Sequence, residues 1–199
     1  MDAAFSGDVI VVEAGTYQED SNVIYGLHVT TNNITLIGEG EVRLLVAGAQ
    51  QTGVFAAPPG CGFTDSSCDL PDLQDFEIQG FSVENFPRNG IQTRWVDRFK
   101  IIGCASIDNL NNGLYLTLSK NGLVNSSYSS GSLDSALWVA GSQNVTVEGN
   151  ELTRAPTGLE ITVSNQVFCR HNDIHDNTVG VGLYHANMAG NPPKGDMKD

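Results

Sequence analysis

Positive charge is what this sequence has least of: 10 Lys and Arg stand against 23 Asp and Glu, a formal net charge of −13. Nucleic-acid backbones are bound by cations that release condensed counterions, so no nucleic-acid partner is expected. Anionic membrane surfaces are excluded as partners on the same ground, and no apolar run approaches the roughly 18 residues of a bilayer span. The opening Met1-Asp2-Ala3 is followed by neither a basic nor a long apolar stretch, so no signal peptide is expected within these residues. Helical periodicity is missing too. Nowhere do apolar residues recur at i, i+3, i+4 and i+7 over about 12 residues.

Glycine and asparagine are plentiful instead, 22 and 17 of 199 residues, and both weaken helix interiors. What recurs is a short run of alternating Leu, Ile and Val bounded by Gly, Asn and Ser, the pattern of strands separated by tight turns. The runs keep a period. Gly90-Ile91, Gly113-Leu114, Ala136-Leu137, Gly158-Leu159 and Gly180-Val181 follow one another at 23, 23, 22 and 22 residues. Phe99, Gly122, Val145 and Val167 repeat at matching intervals, with Phe76 one step earlier. Gly26-Leu27 and Gly53-Val54 read as earlier members separated by longer insertions.

A period of 22–23 residues with two or three short strands is too short for a propeller blade and lacks the helix of a leucine-rich repeat. It fits one coil of a parallel β-helix, whose coils stack at ~4.8 Å and whose inward residues form apolar columns. One column is predicted to run Ile91, Leu114, Leu137, Leu159, Val181, and another Ile78, Ile101, Val124, Val147, Cys169. Asn150 and Asn172 share one turn position, where amides can stack in a hydrogen-bonded ladder. Ser127, Cys104 and Phe81 hold that position in earlier coils.

Segments such as Gly158-Leu159-Glu160-Ile161-Thr162 and Asn144-Val145-Thr146-Val147-Glu148-Gly149-Asn150 resemble the repeats of right-handed parallel β-helix proteins, the pectin-lyase-like superfamily. The stretch from Gly7-Asp8-Val9 to Gly15-Thr16-Tyr17 is similar to the first strand and turn common in such proteins. The resemblance covers nearly the whole chain. It implies an all-β fold: a right-handed single-stranded parallel β-helix, or solenoid, of about seven coils, forming a single domain over residues 1–199. It implies no one activity, because that superfamily holds lyases, hydrolases, epimerases and catalytically silent members. Neither the Tyr-Gly-x-Asp-Pro-His pattern of mannuronan epimerases nor the paired-Arg segment of pectate lyases is present. The tail Ala189-Gly190-Asn191-Pro192-Pro193 does not read as an amphipathic cap over a solenoid end, so the chain is expected to be a fragment of a longer β-helix.

One insertion stands out, a loop at 57–75 with Pro58, Pro59 and Pro71. Within it Cys61 and Cys68 enclose a short polar loop and are expected to form a disulfide. The loop reads either as a stapled surface loop or as a lip over a binding groove. Cys104 and Cys169 fall in different columns nearly three coils apart, roughly 14 Å at the stacking spacing. They are read as buried small hydrophobes. One cysteine pair favours an oxidising compartment: extracellular, periplasmic or cell surface.

Strand alternation sets every second residue of the first strand on the outer face. That outward column is predicted to read His28, Phe55, Gln92, Tyr115, Trp138, Glu160, Gly182, and the next Arg94, Thr117, Ala140, Thr162, Tyr184. Phe55, Tyr115 and Trp138 are thus expected on a solvent-facing sheet, with Gln92 among them as a substrate-binding amide. Exposed aromatics in a row mark interaction surfaces, and flat rings beside carboxylate, amide and guanidinium groups suit a sugar chain. Aromatic stacking across strands under a loop or another domain is the alternative. The turns entering this strand add Arg88, Asp108, Asp134, Arg154 and Asp176. Glu160 with Asp134 or Asp108 suits the paired carboxylates of a glycoside hydrolase. Alternatively, Arg94 or Arg154 neutralises a uronate while Tyr184 or His185, among Tyr115 and Lys120 as further bases, moves a proton, the logic of lyases and epimerases.

The expected function is therefore a carbohydrate-active protein binding or modifying an extracellular polysaccharide, by lyase or epimerase chemistry in preference to hydrolysis. The alternative is a non-catalytic structural or adhesive solenoid. No metal centre or cofactor is expected. The nearest approaches are His171, Asp173, His175 and Asp176 in one turn, and Asp65, Asp69, Asp72 and Asp75, oxygen donors for calcium without EF-hand spacing. The sequons beginning at Asn33, Asn125 and Asn144 are read as repeat grammar, since Asn-Val-Thr is how a coil enters its second strand.

Overall fold

A computed structural model describes residues 4–18, 24–63, 65 and 67–185. The expectations resting on Met1–Ala3 and on the tail beyond His185 lie outside these residues. The described residues form 18 strands and no helix. The first coils have long strands: β1 (Val9–Tyr17), β2 (Tyr25–Val29), β3 (Ile34–Leu45), β4 (Thr52–Ala56) and β5 (Leu73–Glu84). From there each coil has three strands: β6 (Ile91–Arg94), β7 (Val96–Ile102) and β8 (Ala105–Ile107), then β9 (Leu114–Thr117), β10 (Lys120–Asn125) and β11 (Tyr128–Ser130). The pattern continues with β12 (Ser135–Ala140), β13 (Gln143–Glu148) and β14 (Glu151–Thr153), then β15 (Thr157–Thr162), β16 (Asn165–Arg170) and β17 (Asp173–His175), and ends in β18 (Val179–Tyr184). The result is a parallel β-solenoid of about seven turns.

Every pairing is parallel, and each joins strands of successive coils. The first sheet runs β18-β15-β12-β9-β6-β4-β2. A second face is built from β16, β13, β10 and β7 and continues into β5. The third, of β17, β14, β11 and β8, joins the same β5, which pairs with β7 through its first half and with β8 through Ser82–Glu84. Both apolar columns fall in the expected register: Ile91 pairs with Leu114, Leu114 with Leu137, and Leu137 with Leu159, while Ile78, Ile101, Val124 and Val147 pair in turn. All of these are fully buried, with Phe76, Phe86 and Phe99 filling the wider early coils. The columns end at Val181 and Cys169, which are exposed. Cys169 is thus not the buried hydrophobe expected, because β16 is the last strand of its face among the described residues and no coil covers its far side. Cys104 is buried, and burial pushes its thiol up to about 11.

The chain turns its corners on single left-handed residues, stacked coil over coil. Asn85, Asp108, Arg154 and Asp176 form one such column, Trp95, Leu118 and Val163 a second, and Asn33, Asp75, Arg98, Asn121, Asn144 and Gln166 a third, with φ from 48° to 63°. An L-residue there costs about 1–2 kcal/mol, offset where the corner amide reaches the next coil, as Leu118 N–H does to the Ala140 carbonyl at 2.9 Å. Two of the three sequon asparagines, Asn33 and Asn144, are members of the third column.

The asparagine ladder is present. Asn150 Nδ2 donates to Asn172 Oδ1 at 2.9 Å, and Asn150 Oδ1 accepts the Ser127 amide at 2.9 Å. The Cys104 amide in turn donates to Ser127 Oγ. Parallel ladders run through Asn89 and Asn112 and through Ser119, Ser142 and Ser164.

On the third face Arg43 grips Glu84 through two hydrogen bonds of 3.0 and 2.7 Å. Arg43, joined by Ser82 and opposed by burial, holds the Glu84 carboxyl below its ordinary range. A depressed carboxylate adds stability that is present above its unfolded pKa and disappears as pH falls through the folded one. Acid titration of thermal melting should therefore show the wild type losing stability more steeply than Glu84→Gln below the ordinary carboxylate range; parallel curves would refute the assignment.

Candidate functional site

The outward columns of the first sheet stand in the register the sequence implies: His28 beside Phe55, Phe55 beside Gln92, Gln92 beside Tyr115, Tyr115 beside Trp138 and Trp138 beside Glu160. Leu137 lies inside and Trp138 outside. The insertion then divides the column in two. Phe55 and Gln92 are fully buried and Arg94 nearly so, so the solvent-facing position expected for Phe55 and Gln92 is not what the fold gives them. The reason is the loop, which folds across the sheet as a lip and is closed by the Cys61–Cys68 disulfide, Cα–Cα 5.9 Å.

The lip is anchored by polar and aromatic contacts. Gln92 Nε2 reaches the Phe63 carbonyl at 3.5 Å, Arg94 donates to the Asp65 carbonyl, and the Phe63 ring meets Tyr25 edge-on with Arg88 4.6 Å over its face. Beneath it Tyr25 and His28 stack on Phe55, with centroids at 4.6 and 5.4 Å. Arg94 leans on Trp95, 4.5 Å from its ring, with Tyr115 close enough to act on its charge. Burial pulls its guanidinium below the ordinary value, against the pull of Tyr115 and Asp65.

Past the lip the sheet is open. Tyr115 and Trp138, both half-buried, stack face to face with centroids 4.6 Å apart and planes 14° from parallel. Trp138 Nε1 donates to Thr162 Oγ1 at 3.0 Å, and that hydroxyl donates to Glu160 Oε1 at 3.1 Å. Ser135 Oγ donates to Glu160 Oε2 at 2.6 Å. These two hydroxyls fix the Glu160 carboxylate beside the platform. Burial, and after it the Glu160 charge, raises the Asp134 carboxyl above its ordinary range. Among the described residues neither carboxyl forms an ion pair with a side-chain cation. One coil on, Tyr184 folds its ring back over Gly182, where an added Cβ would lie 2.6 Å from it; glycine here lets a tyrosine extend the file.

Other residues singled out from the sequence lie elsewhere. Arg154 sits on a left-handed corner with Nε on Ser130 Oγ at 2.7 Å, not on either carboxylate. Asp108 and Asp176 share that corner column, and His185 is exposed just after β18. Asp72 pairs with Lys120 at 2.7 Å, Asp75 with Arg98 at 2.6 Å, and Asp65 accepts the Gly62 amide at 2.7 Å. His175 faces Asp176 and Glu151 at 3.0 and 3.4 Å. Among the described residues no three His, Cys, Asp or Glu side chains converge as a metal site would require. A furrow of about 600 Å³ crosses the second face by Asp75, Arg98, Lys100, Asn121 and Asn144. Its charges neutralise one another, Arg98 on Asp75 and Lys100 on Glu77, whereas Asp134 and Glu160 on the first sheet stay uncompensated. The roles of Thr162 and Ser135 escaped the sequence reading, although Thr162 is two residues past Glu160 and so on its face of the strand.

The fold and the repeat place the molecule among right-handed parallel β-helices. Residues 60–191 match the family described as the right handed beta helix region, and the chain belongs to that family. No curated protein matches it. Among solved structures it resembles a pectin methylesterase in complex with a hexasaccharide, at 15% identity and a TM-score of 0.58, over 94% of this chain and 65% of that one. Pectin methylesterase PemA from Erwinia chrysanthemi is similar at 16% identity and a TM-score of 0.51, over 83% of this chain and 58% of its own. At these identities the likeness is one of fold, and this chain spans less than two thirds of either protein. No helix among the described residues is long and apolar enough to cross a membrane.

Proposed function

We propose that this is a carbohydrate-active β-helix protein that binds a polysaccharide along the open part of the first sheet and modifies it at the Asp134–Glu160 pair. The observation that carries the reading is the half-exposed Tyr115–Trp138 stack, joined through Thr162 to the hydrogen-bonded Glu160 carboxylate, beside which the Asp134 carboxyl is raised above its ordinary range. Rings supply the apolar face that sugar C–H groups pack on, and two neighbouring carboxyls, with Asp134 raised by burial and by the Glu160 charge, are groups able to take up and hand on a proton. Arg94 beside Tyr115 supports recognition of an anionic group next to that centre, which keeps lyase or epimerase chemistry ahead of hydrolysis, with Tyr184 as a further proton carrier. Arg154 and His185 carry no part of the reading. The Cys61–Cys68 disulfide supports an extracellular, periplasmic or surface location, where such polymers occur.

Binding of the wild type to pectin, alginate and neutral β-glucans, measured beside Tyr115→Ala and Trp138→Ala, tests this. The polysaccharide retained by the wild type should be held at least 10-fold more weakly by each variant, a loss of about 1.4 kcal/mol. Undiminished binding, or no binding to any glycan, would favour a structural solenoid whose first sheet packs on another domain.

A further inference from the structure

The lip has a consequence for how a polymer can lie on this face. The outward file of the first sheet runs parallel to the solenoid axis, from His28 through Phe55, Gln92, Tyr115 and Trp138 to Glu160. In a bare β-helix it would form one uninterrupted track open at both ends. Here the track is roofed at a defined point. Phe55 and Gln92 have no exposed surface and Arg94 is 7% exposed, while one coil further Tyr115 is half-buried and open.

The roof is built to stay. The disulfide closes the loop, and both charged or amide side chains of β6 that face outward, Gln92 and Arg94, are bonded to its backbone carbonyls. The Phe63 ring is held between Tyr25 and Arg88. Cys61 is buried against the sheet. A loop with this many contacts on its underside is a wall and not a lid.

The wall also has a polar face. Arg94 is the guanidinium of the outward file at the roofed end of the open track, and Tyr115, the first ring of the platform, lies within its electrostatic reach. Its Nε is buried without a hydrogen-bond partner. Sealed from solvent, that donor is not offered to a ligand; what Arg94 brings to the closed end of the file of rings is its positive charge beside Tyr115.

We propose that the site is blind at its Arg94 end, so that the protein engages a polysaccharide by one chain terminus. The terminal sugar seats on Tyr115 with its end against the wall, near the Arg94 charge, and the rest of the chain extends over Trp138 and Glu160 toward Tyr184. This rests on the platform reading above and adds polarity and end-recognition to it. An enzyme built so acts at or near chain ends, releasing or altering terminal units, and does not cut at random along the polymer.

The experiment uses the full chain and end-modified oligosaccharides. Oligogalacturonates and oligoalginates are bound intact, capped at the reducing end with 2-aminobenzamide, or capped at the non-reducing terminus with a bulky acyl or pyranosyl substituent. One of the two capped series should lose affinity at least 10-fold relative to the intact oligomer, and the other should bind within about 2-fold. Equal tolerance of both caps, with Trp138→Ala still abolishing binding, would overturn the blind end and leave the platform intact. Failure of every oligomer to bind would overturn the platform and the blind end together. A variant in which residues 60–70 are replaced by a Gly-Ser bridge should accept both caps; because that variant exposes Phe55 and could misfold, the wild-type capping result decides the matter independently of it.

Discussion

Asn150→Ala is expected to lower the free energy of unfolding by about 3 kcal/mol, since each buried polar group left without a partner costs about 1–3 kcal/mol. The side chain is 1% exposed and works between three coils. It accepts the Ser127 amide at 2.9 Å, donates to the Val124 carbonyl at 3.0 Å and donates to Asn172 Oδ1 at 2.9 Å. Removing it orphans the Ser127 N–H and takes a donor from each of the other two. The loss is thus comparable with Leu137→Ala, about 2–5 kcal/mol for a buried leucine, although an asparagine is being deleted. Gln143→Ala, an exposed amide whose one partner is Gln166 at 3.4 Å, should stay within about 0.5 kcal/mol. Chemical denaturation followed by far-UV circular dichroism measures all three. An Asn150 variant no less stable than the Gln143 variant would show that the ladder fills space without holding the coils together.

That ladder shows what a one-dimensional pattern can carry. The stacking of Asn150 on Asn172, the Leu and Ile columns and the register of the first sheet were legible because a parallel solenoid maps sequence period directly onto spatial neighbours: 22 or 23 residues on is the residue above. The serine ladder at Ser119, Ser142 and Ser164 and the amide pair Asn89 and Asn112 keep that spacing and could have been found by it. The corners were harder. Asn33, Asp75, Asn121 and Asn144 are residue types that tolerate positive φ, but Trp95, Leu118 and Val163 do so here only because stacking above and below fixes the corner, and no local preference announces it.

The outer file of the first sheet was legible in half. Tyr115, Trp138 and Glu160 follow from alternation alone, and so does the outward direction of Phe55, Gln92 and Arg94. Their burial does not. It depends on the path of a loop outside the repeat, and Pro58, Pro59, Pro71 and the disulfide say that the loop is stiff without saying which face it crosses. Cys169 is the reverse case: the column correctly named its neighbours, Val147 among them, while exposure was set by where the described strands stop.

The acid pair sets the second large expectation. Glu160→Gln should reduce turnover of a polysaccharide substrate by about 10²–10⁴-fold, the range for loss of a positioned acid or base, while binding of the same polysaccharide changes only a few-fold, because Trp138 and Tyr115 are untouched. Glu160 also raises the Asp134 carboxyl, second to burial. Removing its charge brings Asp134 back toward the ordinary range, so the residual activity of the variant should lose its alkaline limb at lower pH than the wild type. The same shift has a stability consequence of known sign. A carboxyl whose folded pKa lies above its unfolded one holds its proton more tightly in the native state, so stability falls as pH rises from the unfolded toward the folded value, and above it the full cost remains. Asp134→Asn should therefore melt higher than the wild type at neutral pH and lose that advantage in acid, gaining stability while losing activity, as expected where function keeps a strained charge in place. Calorimetry at two pH values with turnover assays on the same protein decides it. An Asp134→Asn protein that melts lower at neutral pH, or that retains wild-type turnover, would make the pair an ordinary surface feature and move the chemistry away from this face.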